Sequence, residues 1–307
     1  MSSRAEPAAW PTRPIRLILV YPPGGISDLI ARALAAKLAL RLGQPVIVEY
    51  RPGAGGSSGM EELARAKPDG YSLAFSAITP LSLTPLMRRV SYNAERDFSP
   101  IAGVVRTPVL LVATPAFEGR DWPSVLRAAK TEPGALRWAS SGLGTTGHLV
   151  LEQVQLASGA VFTHIPYKGG GQQLSDALSG QFELLSTNLG PLQLQYIRSG
   201  QLKPLALGSP ARLASLPATP TFAELGVESA NLASLFGVFA PAGLATEIAG
   251  RLNSEIRLAM AEPDLQARLL AADNLSANFS MAEFRRQIDL ATEQNRRLLK
   301  AGRLQAE

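Results

Sequence analysis

Two glycine-rich turns, far apart in the chain, each sit between an apolar strand-like run and a helix-like one, and this pairing constrains the fold more than any other feature. The first, Pro22-Pro23-Gly24-Gly25-Ile26-Ser27-Asp28, follows the run 15–21. The second, Gly142-Leu143-Gly144-Thr145-Thr146-Gly147, follows 136–140. A strand that passes through a tight glycine turn into a helix is the opening step of an α/β unit, whose ligands lie beyond the carboxyl ends of its strands. Two such steps imply two α/β domains, and domains set face to face place a ligand in the cleft between them.

The rest of the chain supports that reading. Short β-branched runs at 16–21, 45–49, 72–76, 109–113, 136–139, 162–166, 182–186 and 203–207 alternate with helical patterns at 28–42, 58–66, 123–130, 146–158, 172–178 and 191–198. Such alternation argues α/β with largely parallel sheets covered on both faces. The runs Leu17-Ile18-Leu19-Val20 and Val109-Leu110-Leu111-Val112 lack polar alternation, as strands buried on both sides do. In the tail, Ile248, Leu252, Ile256 and Met260 recur at helical spacing, and Phe284, Ile288 and Leu298 suggest a second stripe. Two successive C-terminal helices are therefore expected to return and pack on an earlier domain. A chain of 307 residues with 46% hydrophobic content can fill two cores.

Composition removes several function classes. With no cysteine, disulfide frameworks, thiolate metal sites and cysteine nucleophiles are excluded. The two histidines, His148 and His164, have no neighbouring ligand at metal spacing, so no transition-metal site is expected. The net charge of +5 comes from arginines scattered along the chain, with no basic block that reads as a nucleic-acid stripe. No apolar run approaches the roughly 18 residues needed to span a bilayer, and residues 1–14 lack the apolar core of a signal peptide. If the natural protein is exported, its signal has been cut away or replaced by Met1.

The glycine turns carry the chemistry. N–H groups at a helix start lack partners and sum to about half a positive charge, so such a turn can hold a phosphate or carboxylate. By its letters, 142–147 is also the dinucleotide fingerprint G-x-G-x-x-G, which requires an acidic residue about 20 positions on for a ribose hydroxyl. The stretch Thr163-His164-Ile165-Pro166-Tyr167-Lys168-Gly169 has none. Lys168 could favour a 2′-phosphate, which keeps an NADP-dependent oxidoreductase as the rival reading; the simpler one is a cationic and aromatic neighbour for a small acid. Gly55-Gly56-Ser57-Ser58-Gly59 matches a hydrolase elbow by letters, but Arg51-Pro52-Gly53-Ala54 separates it from the preceding strand. His148 could face a ligand or pack against the turn; His164 is expected to be a hydrogen-bonded core or rim residue. Asp28 is either a helix cap or a cleft residue.

In order and spacing the chain resembles the extracytoplasmic solute-binding receptors of tripartite tricarboxylate transporters, the Bordetella uptake gene family. The matching stretches begin at Pro14-Ile15-Arg16-Leu17-Ile18 and run through Pro22-Pro23-Gly24-Gly25 with Asp28. They continue through Leu42-Gly43-Gln44-Pro45-Val46, Arg51-Pro52-Gly53-Ala54-Gly55-Gly56, Pro68-Asp69-Gly70-Tyr71 and Gly144-Thr145-Thr146 with His148. Pro166-Tyr167-Lys168-Gly169, Pro217, Pro220-Thr221, Phe236-Gly237 and Ala240-Pro241-Ala242-Gly243 complete them. The resemblance implies a two-domain periplasmic-binding-protein fold of type II, with two crossover strands and the ligand cleft between domains. On that basis domain 1 comprises 14–108 and 235–307, and domain 2 comprises 109–234.

It also implies a non-enzymatic, cofactor-free and monomeric receptor in the periplasm that hands a small organic carboxylate to membrane transporter subunits. Family members grip one ligand carboxylate with the two glycine loops. Carried over, these are Gly24, Gly25, Ser27 and Asp28 with Ser141, Gly142, Gly144, Thr145 and Thr146. Tyr21, Ser76, His148, Tyr167, Lys168 and Asn188 complete the expected ligand contacts. The chain departs from the family pattern in reading Ser186-Thr187-Asn188-Leu189 where an Asp is frequent, Leu235 where a Trp is common, and Tyr21 for a usual Phe. These departures favour a dicarboxylate or an aromatic acid over an amino acid.

Overall fold

The computed structural model describes residues 10–302. Ten strands form one curled sheet in the order β2-β1-β3-β9-β4-β7-β5-β6, with β8 and β10 also paired to β4. In chain order the first half comprises β1 (Ile15–Leu19), α1 (Ile26–Leu42), β2 (Val46–Tyr50), α2 (Ser57–Ala64), β3 (Ser72–Ala77), the short α3 (Thr79–Ser82) and α4 (Thr84–Met87), β4 (Phe98–Ala113) and α5 (Trp122–Thr131). The second half comprises β5 (Arg137–Ser140), α6 (Thr146–Ser158), β6 (Thr163–Pro166), α7 (Gly170–Leu178), β7 (Leu184–Asn188), α8 (Pro191–Arg198), β8 (Lys203–Gly208) and β9 (Ala233–Pro241). It closes with α9 (Thr246–Met260), α10 (Pro263–Leu270), β10 (Leu275–Phe279) and α11 (Met281–Lys300).

The sheet divides into two lobes at β4 and β9. Residues 98–108 of β4 run antiparallel to β9, whereas Val109 to Ala113 pair with β7 and β8. The expectation of largely parallel sheets holds only away from these crossover strands. β1 is parallel to β2 and β3, and β5 to β6 and β7, but every pairing of β4 is antiparallel. A strand shared by both lobes must enter the second from its far end, which sets that direction.

Each lobe has its own core. In the first, Ile18, Phe75 and Phe239 of the sheet pack with Leu34 of α1, Leu252 of α9 and Phe284 of α11. In the second, β4 is buried on both faces. Val109, Leu111 and Ala113 join Trp138, Val154 and Phe222 on one side; Leu110 and Val112 join Leu185 and Leu194 on the other. Alternate side chains of a strand face opposite ways, so the unbroken Val-Leu-Leu-Val run is what a two-sided core demands.

The tail departs from expectation. It does return to the first lobe, but α10 and β10 separate the two foreseen helices, and β10 adds to β4. The link between α10 and β10 crosses to the second lobe: Asn274 Nδ2 donates to the Leu189 carbonyl (3.2 Å), and Asp273 Oδ2 accepts from the Ser215 N–H (3.1 Å).

Candidate functional site

Both glycine turns form as strand-to-helix connections, and both helix starts open onto one cavity between the lobes. α1 is capped by Gly25 in extended conformation, so Ser27 and Asp28 lie in its first turn rather than at the cap. α6 is capped by Thr145, whose Oγ1 accepts from the His148 N–H (3.4 Å) and donates to the Gly142 carbonyl (2.7 Å).

Of the glycines in the two turns, Gly24, Gly142 and Gly144 do not offer their amides to the cavity. Gly142 N–H donates to Ser140 Oγ (3.2 Å), Gly144 N–H to His148 Nδ1 (3.3 Å), and Gly24 N–H to Asp28 Oδ2 (3.0 Å). These three donors are spent on folding the loops. The N–H groups of Ile26 and Ser27, and of Thr146 and Gly147, are the first two of their helices and have no acceptor among the described residues; all four residues line the cavity. Gly142 (φ 132°) and Gly144 (φ 68°) supply the backbone conformations that turn the chain into α6.

Among the described residues, no charged side chain lines the cavity. Its polar walls are hydroxyls and amides from both lobes: Tyr21, Ser27 and Thr79 from one; Ser141, Thr145, Thr146, Thr187 and Asn188 from the other, with Ser234 from β9, while Ile26, Ala77, Val109 and Phe236 add apolar surface. Tyr21 is buried edge-on against Phe236, and burial pushes its phenol up to about 12, so it stays a neutral donor. Ser234 Oγ donates to Asn188 Oδ1 (2.7 Å). Gln173 and Gln193 both donate to Thr187 Oγ1 (3.3 Å each), and the buried Gln173 Oε1 has no partner. The cavity volume is about 40 Å³.

Seven of the expected contacts therefore line one cavity: Tyr21, Gly25, Ser27, Ser141, Thr145, Thr146 and Asn188. Gly24, Gly142 and Gly144 shape the loops behind it. Ser76 is buried next to Tyr21 and donates to the Ala77 carbonyl (2.8 Å). Asp28 is held by Gly24 N–H, by Tyr50 OH (2.8 Å) and by Arg32 (3.6 Å), which makes it a brace of the loop. Tyr167 OH donates to Asp176 (2.7 Å), and Lys168 points to solvent, so neither side chain reaches the cavity. His148 is buried against His164, their rings stacked 4.4 Å apart, and His164 Nε2 lies 2.7 Å from Ser140 Oγ. As ligand contacts the sequence reading missed Ile26, Thr79, Gly147, Gln173, Thr187, Gln193, Ser234 and Phe236, although Ile26 and Gly147 belong to the turns it singled out.

The lobes meet along a seam paved with glycine. A Cβ placed on Gly24 would lie 3.8 Å from Gly171 Cα, and one on Gly25 3.9 Å from Gly170 Cα. On Gly171 it would come within 2.7 Å of the Pro23 carbonyl, and on Gly144 within 2.8 Å of Thr84 Oγ1. Glycine here lets two backbones approach as closely as side chains normally would.

Two α/β lobes joined by crossover strands, closing two helix starts on a cavity without charged side chains, define a solute-binding receptor. The chain belongs to the tripartite tricarboxylate transporter receptor family, whose model matches residues 30–304. It is 38% identical to protein BugT of Bordetella pertussis over 253 residues, which is 82% of this chain and 77% of BugT. Its fold matches the periplasmic binding protein BugD with a TM-score of 0.90 and 27% identity, covering 97% of this chain and 100% of that one. It also matches the R. palustris protein Rpa4515, solved with adipate, at 0.89 and 29%, covering 95% and 97%. Members of this family are binding proteins, and the chain is one rather than an enzyme. The oxidoreductase reading of 142–147 and the hydrolase reading of Ser57 fall with that membership. Ser57 is buried at the start of α2, where its Oγ accepts from Tyr92 OH (3.2 Å).

Proposed function

We propose that this receptor captures a small organic acid by closing its two lobes on one carboxylate, held by the N–H groups of Ile26 and Ser27 on one side and of Thr146 and Gly147 on the other. The observation that carries the reading is that all four residues line a single cavity to which the starts of α1 and α6 lend positive potential, with no charged side chain among the described residues lining it. Hydrogen bonds to a charged group contribute about 1.5–3 kcal/mol each, so a few of them reach micromolar affinity without a cationic side chain. Tyr21, Ser27, Ser141, Thr145 and Thr146 add hydroxyls around the same group.

Beyond that carboxylate the walls are neutral: Asn188, Gln173, Gln193 and Ser234. Neutral amides and hydroxyls suit a second carboxylate or a polar aromatic substituent, and the absence of an acid leaves no counter-charge for an ammonium group. A dicarboxylate or an aromatic acid is favoured, and adipate, found with the R. palustris relative, heads the compounds to try. We further infer that the receptor acts as a monomer in the periplasm, delivers its ligand to transporter membrane subunits, and is built of domains 14–108 with 235–307 and 109–234.

The test is thermal denaturation with a panel of dicarboxylates, tricarboxylates, aromatic acids and acidic amino acids. Stabilisation by at least one acid, growing with the logarithm of its concentration, is expected. No shift with any acid of the panel would sink the proposal.

A further inference from the structure

A second, larger space lies behind the crossover strands. Along β9, Ser234 and Phe236 face the small cavity, whereas Ala233 and Leu235 face the opposite way into a groove of about 730 Å³. β4 alternates likewise, with Val109 on the cavity side and Arg106 and Pro108 on the groove side. The groove has walls from α11, the α10–β10 link and the loop after β8, and Thr79 and Thr146 border both spaces.

Two independent features of this groove point to one ligand chemistry. The first is apolar. Leu270, Leu275 and Leu290, exposed by 72%, 57% and 52%, all line it, three of the ten large hydrophobic side chains exposed among the described residues. The second is an unmatched charge. The half-buried Arg106 guanidinium donates to Gln287 Oε1 (2.6 Å) and lies over Phe279, but no carboxylate pairs with it among the described residues. Of the other charges lining the groove, Arg212 pairs with Glu224 (2.9 Å), and Asp273, on the α10–β10 link, accepts the Ser215 N–H without a cationic partner among the described residues. Burial, with no anion to offset it, draws the Arg106 pKa below its ordinary value. A cation left without its counter-ion beside apolar walls is complementary to a molecule that brings both.

We propose that this groove is a second binding site, on the face of the crossover strands opposite the clamp, for an amphipathic carboxylate whose head pairs with Arg106 and whose hydrocarbon covers Leu270, Leu275 and Leu290. The volume suits a ligand of moderate size. The fork of N–H groups that Gln287 leaves open on Arg106 can take a carboxylate side-on. Because the walls belong to both lobes and border Thr79 and Thr146, an occupant touches the elements that move when the cleft closes.

Decanoate below its micelle concentration is a suitable probe, followed by isothermal calorimetry. Saturable binding of one equivalent is expected, weakened at least tenfold in Arg106→Gln and also in Leu290→Glu, an exposed position whose replacement spares the core. Decanoate should still bind a receptor carrying Asn188→Asp, which puts a negative charge in the clamp cavity without wedging the lobes, and decyltrimethylammonium should not compete. Non-saturable uptake, indifference to both groove substitutions, loss through Asn188→Asp alone, or equal binding of the cationic amphiphile would each overturn the proposal.

Discussion

Gly25 at the start of α1 and Gly170 at the start of α7 face each other across the seam between the lobes, with room for a methyl group and little more: a Cβ on Gly170 would lie 3.6 Å from Gly25 Cα. Gly170 has no positive φ, so alanine is conformationally acceptable there. Gly170→Ala should change ligand affinity by less than about threefold. Gly170→Leu would wedge the lobes apart and keep the four helix-start N–H groups from converging, weakening binding by at least about thirtyfold while leaving the melting temperature of the free protein nearly unchanged. Calorimetry with the best acid of the panel, and small-angle scattering for ligand-induced compaction, measure the two effects. Equal affinity in both variants would mean that closure at this seam is not needed.

Gly144 tests the second jaw in a different way. Its φ of 68° suits glycine, and any Cβ would press on Thr84 Oγ1 of the opposite lobe, so even alanine combines backbone strain with a collision. Gly144→Ala is expected to cost about 1–2 kcal/mol of binding, or on the order of tenfold in affinity. The double variant Gly144→Ala with Thr84→Ala separates the causes. Partial recovery assigns part of the loss to the collision, and none assigns it to the loop conformation.

A cavity without charged side chains makes a claim about solution conditions. Exposed ion pairs weaken sharply with salt, but partial charges on N–H groups enclosed between two lobes are screened little. Affinity measured at about 20 mM and about 500 mM salt should differ by less than about threefold. It should also be flat from pH 6 to 8, since Tyr21 does not titrate there. A tenfold salt effect would place a cationic side chain, with Lys168 the nearest candidate from the sequence, in the recognition step.

What could be read from the sequence divides along a physical line. Val109 to Val112 announced a two-sided core strand, and the two glycine turns announced the helix starts, because each signal is local: neighbouring residues carry it. The first half of β4 and the whole of β9 left no such trace. Pro100, Gly103 and Pro108 punctuate the one, and Gly237 the other, where glycine leaves room for the Phe284 ring against the sheet. At the site, Ser27 and Thr146 belong to the turns and were found with them. Ser234, Gln173 and Gln193 were not, because each reaches the cavity from an element with its own local grammar. A signal for the glutamines was present all the same. Gly169-Gly170-Gly171 and Gly190-Pro191 are further strand-to-helix turns of the second lobe, and Gln173 and Gln193 follow them within one helical turn. The donor groups at Gly142 and Gly144 were misread for a related reason: letters show where backbone can bend, while Ser140 and His148 decide where its hydrogens go.

The stacked pair of His148 and His164 ties the fold of the second jaw to pH. Burial and the neighbouring His148 pull the His164 pKa from 6.5 down to about 4. The unfolded chain therefore binds this proton more readily than the folded one. Stability from this group is complete above about pH 6.5, falls as the pH drops through the window down to about 4, and changes no further below it. The half-buried ring discounts the full shift, leaving about 2 kcal/mol. His164 also sits 2.7 Å from Ser140 Oγ, which accepts the Gly142 N–H, so charging the ring disturbs the support of the loop that presents Thr146 and Gly147. Melting curves from pH 7.5 to 4.5 should show a loss of several degrees. His164→Gln, which keeps a polar partner for Ser140 without a proton to gain, should flatten that part of the profile. An acid-induced loss of the same size in the variant would assign the pH dependence to carboxylates elsewhere and remove the histidine pair from the account.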